Sequence, residues 1–259
     1  MIASPVPKLN IANVFLGAIL FPWHRRRDVA HALLVPMIFL VGVIVVWNET
    51  GASFDPGFAW VVSGVYAFLF ILLAVKCHRL VLVDEPVEDA WTLPHWTRRE
   101  TRFALWAVMV WGCCVAAFYV TTTVCGVIFP GLAGMASFIA PDDTAAIMKA
   151  CEVAGNIAYW YVFGRFSLIF PAKALDKKGN LVRAWRYSRG NGWRLFAVVC
   201  VLPFCLSHLV SFLYRNEATL VEYLLLTALG VVFIAVEVTA LSLAYRWLVQ
   251  EPAQLHIET

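Results

Sequence analysis

Charge is what this sequence has least of. Asp, Glu, Lys and Arg make up 14% of it, against ~25% in ordinary soluble domains, while 61% is hydrophobic. That balance excludes a water-soluble globular chain. Chemical signatures are missing too. There is no Cys-x-x-Cys and no His-Glu-x-x-His, and the six histidines fall at no metal-ligand spacing, so neither a structural zinc nor a zinc hydrolase is expected. No cluster of His, Asp, Ser or Cys forms a recognisable catalytic set, so the chain is read as a non-enzyme with no cofactor. The first 27 residues lack a basic segment ahead of a short apolar core and a small-residue cleavage site, so no secretory signal peptide is expected. Nucleic acid is excluded as a partner because the basic residues flank apolar runs and no nucleic-acid-binding fold accompanies them.

What is there is a series of apolar runs. Val29 to Trp47, Phe58 to Val75, Phe103 to Pro130 and Leu195 to Tyr214 are uncharged and each about long enough to cross ~30 Å of hydrocarbon as a helix. A fifth segment, Ala145 to Phe170, carries Lys149, Glu152 and Arg165 towards its two ends and no charge from Val153 to Gly164. A sixth, Val221 to Trp247, has one charge deep in its interior, Glu237. The sequence therefore predicts an all-α polytopic membrane protein, a single transmembrane domain over 1–259 with six spans near 29–47, 58–75, 103–127, 146–169, 195–214 and 221–246.

The basic residues test that count. With six spans, one side receives Lys8, Arg25, Arg26 and Arg27; Lys76, Arg79, Arg98, Arg99 and Arg102; Arg165, Lys173, Lys177, Lys178, Arg183, Arg186, Arg189 and Arg194; and Arg246. The other side receives only Lys149 and Arg215. Loops on the cytoplasmic side of a membrane are enriched in Lys and Arg, so the basic side is expected to be cytoplasmic, with both termini on it. Removing the fourth span would place the most basic loop outside, which favours keeping it.

Two shorter stretches read as amphipathic helices lying on that face. Residues 9–23, mostly apolar, end in Trp23 and the cluster His24 to Arg27. In 181–189, after Asn180 as N-cap, Leu181, Val182, Ala184 and Trp185 alternate with Arg183, Arg186 and Arg189, and Gly190 and Gly192 break the helix. The second and fourth inner loops share a layout. Arg79 or Arg165 closes a helix, an apolar strip and a Pro follow, and Arg102 with Phe103, or Arg194 with Phe196, opens the next. This suggests an internal repeat of helical hairpins, although Arg and Trp gather at membrane borders for anchoring reasons alone.

The stretch RFSLIFPAKALDKKGNLVRAWRYSRGNGWRLF, through Arg165, Ser167, Leu168, Pro171, Trp185, Arg186, Ser188, Arg189, Gly190, Trp193 and Arg194, resembles a region of bacterial membrane proteins related to the membrane domain of glycerophosphodiester phosphodiesterases. The resemblance covers about 40 residues and implies a bacterial inner-membrane architecture. It implies no hydrolase activity, since no soluble phosphodiesterase domain accompanies it.

Within this frame a few residues are candidates. Arg183, Arg186, Arg189 and Arg194 suit lipid headgroups, because a guanidinium donates to phosphate through a fork. Glu237 lies nine residues from Arg246, ~14 Å in from the border, and there a carboxylate must be protonated, paired or turned to a polar interior. With Gly230, Ala240 and Ala244 on the same stripe, it reads as a structural carboxyl on a packed face, with a proton or ion relay as the alternative. Asn156 and His208 fall at similar depth and are expected to bond across the fourth and fifth spans. Cys125 and Cys151 flank the external segment between the third and fourth spans, where an oxidising compartment would allow a disulfide. The function expected is that of an accessory or scaffold protein that binds anionic phospholipids and packs with other integral membrane proteins, against a small transporter or channel using Glu237.

Overall fold

The computed structural model describes residues 8–50, 56–83, 96–135, 144–213 and 219–250. It is helical throughout, with no strand among the described residues. The helices are α1 (Ile11–His24), α2 (Arg26–Thr50), α3 (Pro56–Leu82), α4 (Arg98–Met135), α5 (Thr144–Phe166), α6 (Ile169–Ala174), α7 (Leu181–Tyr187), α8 (Gly192–Phe196), α9 (Leu202–Leu213) and α10 (Leu220–Tyr245). A π-helical turn, Ala197–Val201, joins α8 to α9, and a second, Arg246–Gln250, extends α10.

Four stretches are long and apolar enough to cross a membrane: Trp60–Leu82, Arg98–Ile128, Gly192–Leu213 and Leu224–Gln250. Their outward residues are apolar as well, Phe212 being 82% exposed and Val127 71%. In water such a surface would be strongly unfavourable; against lipid tails it is neutral.

Local rules start the helices. Asn10 accepts from the Asn13 amide at 3.2 Å, and Asn180 from the Arg183 amide at 2.8 Å, which bears out the expected cap of α7. Glu100 accepts from the Thr97 amide at 2.8 Å to cap α4, and Thr219 and Glu222 form a reciprocal capping box on α10. Gly190, at φ +77°, reverses the chain after α7 as its sequence position implied.

The largest inter-helix packing is between α4 and α5. Gly155 permits it: a Cβ there would lie 2.5 Å from the Thr122 methyl and 2.9 Å from the Phe118 ring. The segment expected as a fourth span, near 146–169, forms α5, which ends at Phe166 and is not one of the four long apolar stretches. The turn at Ser167, whose hydroxyl donates to Gly164 O at 2.9 Å, ends α5. The apolar strip that follows becomes α6, a buried six-residue helix packed against α3 and α4. One reason is that Pro171 lacks an N–H to continue the α5 ladder. The stretch 84–95, on which the comparison of inner loops depends, lies outside the described residues.

Candidate lipid cleft and buried cavity

Basic residues distant in sequence meet at one end of the bundle. Arg79 donates to Ala174 O at 3.4 Å, Arg246 to Val81 O, and Arg194 to Leu9 O at 2.8 Å. Arg99 pairs with Asp176 at 2.8 Å, and Arg102 reaches the same carboxylate at 3.9 Å. Asp176 holds φ +55°, a left-handed conformation in which Asp is tolerated better than most residues, and so closes the turn after α6. Nearby, Lys173 lies 4.9 Å from the centroid of the Trp106 ring, and burial, with Arg102 as a second cause, lowers its pKa.

Arg165 organises the segment that follows. Its Nε donates to Ser188 Oγ at 2.9 Å, its Nη2 donates to Trp185 O at 2.7 Å, and its guanidinium sits 3.6 Å from the centroid of the Trp185 ring. The Leu9 amide donates to Asn191 Oδ1 at 2.8 Å, so the chain ahead of α1 is fastened to the turn between α7 and α8. Arg165, Trp185, Ser188 and Arg194, four of the residues singled out in 165–194, thus fasten α7 and α8 to the rest of the bundle.

Of the four arginines expected to bind headgroups, one lines a cleft. Arg183, Lys177, Lys178 and Asn180 rim a space of about 420 Å³ whose floor includes Leu82, Leu168, Ile169 and Val249. Arg186 and Arg189 are exposed and do not line it, and Arg194 anchors Leu9 instead. Lys177 and Lys178 were missed as site residues. Their signal was present, as a pair of lysines directly before the Gly179–Asn180 entry to α7.

The intramembrane polar residues do not meet as expected. The amide of Asn156 donates to Glu152 O at 2.9 Å, and His208 Nδ1 lies 3.0 Å from Phe204 O, so each turns to a carbonyl of its own helix and both are exposed. An i−4 carbonyl is always within reach of a short polar side chain, whereas a partner on another helix requires matching rotation as well as depth. A buried side-chain contact between helices is found elsewhere: His78 on α3 bonds Ser242 on α10 at 2.7 Å, and the Ser242 hydroxyl donates onward to Val238 O at 2.8 Å. On the Glu237 stripe, Ala240 and Ala244 are fully buried, but a Cβ on Gly230 would meet nothing within 4 Å, so that end of the stripe is not tightly packed. Glu237 lines a cavity of about 250 Å³, and no described residue hydrogen-bonds or ion-pairs with its carboxyl. The Cys125 and Cys151 thiols, on α4 and α5, are close enough to interact electrostatically and are free.

The apolar spans, the apolar exterior and the collected basic end define a multi-pass helical membrane protein. No family model matches its sequence, and no curated protein or solved structure matches it.

Proposed function

We propose that the protein is a non-catalytic accessory protein of the bacterial inner membrane. In this reading it crosses the bilayer six times, keeps its basic end and both termini in the cytoplasm, binds anionic phospholipid at the cleft and packs against other integral membrane proteins. The observation that carries it is the cleft itself: three cationic side chains, Lys177, Lys178 and Arg183, above a floor of Leu, Ile and Val, which is the chemistry of a phosphate headgroup joined to acyl chains. The six-span count gains support from α2 and α5, whose 25 and 23 residues extend ~37 and ~34 Å as helices. A partner surface is offered by the exposed face of α4, with Leu105, Val108 and Tyr119 all more than half exposed. The segment 165–194, which resembles the membrane domain of glycerophosphodiester phosphodiesterases, serves here as architecture.

Each Lys or Arg near an anionic surface contributes ~1 kcal/mol, so replacing Lys177, Lys178 and Arg183 together by Gln removes about 3 kcal/mol, roughly a hundredfold in affinity. Native mass spectrometry of the wild type should show retained phosphatidylglycerol or cardiolipin, and the triple variant should lose most of it. Equal retention in both would refute the lipid-binding role. A second reading, a small transporter, is favoured by one observation: Glu237 lines a cavity inside the bundle.

A further inference from the structure

The cavity at Glu237 lies among α3, α4, α5, α6, the α8–α9 π turn and α10, and much of its wall is aromatic, with Phe70, Phe103, Trp111, Tyr159, Phe163 and Phe170. Phe70 and Trp111 are also exposed on the outside of the bundle, so the space has a mouth on the apolar surface. Glu237 is the single acidic residue among those that line it, and none of them is Lys or Arg. Tyr66 of α3 is close enough to interact electrostatically with Glu237 and is half exposed. His78, the other titratable wall residue besides Tyr159, has its Nδ1 engaged by Ser242.

This arrangement selects among ligands. An anion is repelled by the carboxylate. A bare calcium or magnesium ion needs about six oxygen ligands and a zinc ion about four ligands, and the wall side chains supply only Glu237, His78 and the Tyr159 hydroxyl. A neutral apolar molecule gains from burial but leaves an acid with no partner in apolar surroundings, a state unfavourable by a few kcal/mol. An ammonium on an apolar body satisfies both parts of the wall at once, by pairing with the carboxylate and by lying against the negative faces of the rings. At about 250 Å³ the cavity falls below the ~300–1,000 Å³ typical of sites for drug-sized ligands, so the body is no larger than a ring or a short branched chain.

We propose that this cavity is a binding site for a small lipophilic ammonium ion, which enters from the bilayer past Phe70 and Trp111 and pairs with Glu237. The site stands apart from the cationic cleft and does not depend on the lipid-binding role.

The test measures saturable binding of radiolabelled phenyltrimethylammonium to the full chain in nanodiscs of uncharged lipid, with empty nanodiscs subtracted. Wild type binds. Glu237→Gln weakens binding at least tenfold, and Ala107→Phe, which fills the cavity from α4 and leaves Glu237 in place, abolishes it. The Lys177→Gln, Lys178→Gln, Arg183→Gln variant binds as wild type does. On wild type alone, tert-butylbenzene, which has the same shape without the charge, fails to displace the cation at matched membrane concentration, a comparison that stands even if a variant does not fold. Absence of saturable binding, retention in Glu237→Gln, retention in folded Ala107→Phe, or displacement by the neutral analogue at equal potency would each overturn the proposal.

Discussion

Replacing Arg165 by Gln should detach α7 from the bundle without unfolding the rest. The helix has seven residues, too few to persist in water unaided, so its order depends on what it is docked to. Arg165 supplies much of that docking from a side chain only 9% exposed: one bond to Ser188 Oγ, one to Trp185 O, and a stacked contact with the Trp185 ring. Hydrogen bonds to a charged group contribute ~1.5–3 kcal/mol each and a cation over a ring ~0.5–2. These values overlap, because all three contacts hold the same short segment. The variant also strands little, since the Ser188 hydroxyl keeps its own bond to Trp185 O at 3.0 Å. A net loss of roughly 2–3 kcal/mol follows, which corresponds to opening of α7 becoming about 30- to 150-fold more frequent. Hydrogen exchange of the full chain in detergent reads this directly at the amides of Ala184 and Ser188, which bond to Asn180 O and Ala184 O. Peptides from α4 serve as the internal reference and should exchange as in the wild type. Arg165→Lys keeps the charge but not the forked geometry and should fall between the two. Unchanged exchange in α7, or an equal rise in α4, would refute the idea that Arg165 tethers this helix.

Topology reporters fused after Asp142 and after Lys178 should report opposite sides of the membrane, the latter cytoplasmic; the same side for both would remove α5 as a span. Mild oxidation with copper phenanthroline should link Cys125 to Cys151, each thiol giving up a proton and an electron to the oxidant, while Cys113 and Cys114 stay unlinked. Peptide mass spectrometry after alkylation that finds 125 and 151 still free would show that their contact cannot reach disulfide geometry.

What was legible in the sequence follows from how far apart the interacting residues lie along the chain. Asn180 and Gly190 act within four residues of themselves, through a cap and a left-handed turn, and their roles could be read directly. Cys125 and Cys151 were expected as candidates for a disulfide from their places beside the segment between α4 and α5; both thiols are free, and whether their Cα atoms approach closely enough to bridge could not be read from the sequence. Asn156 and His208 met a related limit. Counting from helix ends gives a depth but no rotation about the helix axis, and two residues at one depth meet only if both are set. Glu237 shows the same limit in another form. Its place inside a long apolar run was readable, but a cavity is a shortfall in packing among several elements, and no single stretch encodes it. The Lys177 and Lys178 pair counted in the sequence only towards the charge of a loop. In the structure they rim a cleft whose floor includes Leu82 and Val249, which come from helices separated from the lysines by most of a hundred residues or by three intervening helices. That floor exists because α6 folds under α3 rather than prolonging α5, and the turn that sends it there depends on Ser167 and Pro171. Those two residues were noticed in the sequence as part of a motif, and they stand at the turn from α5 into α6.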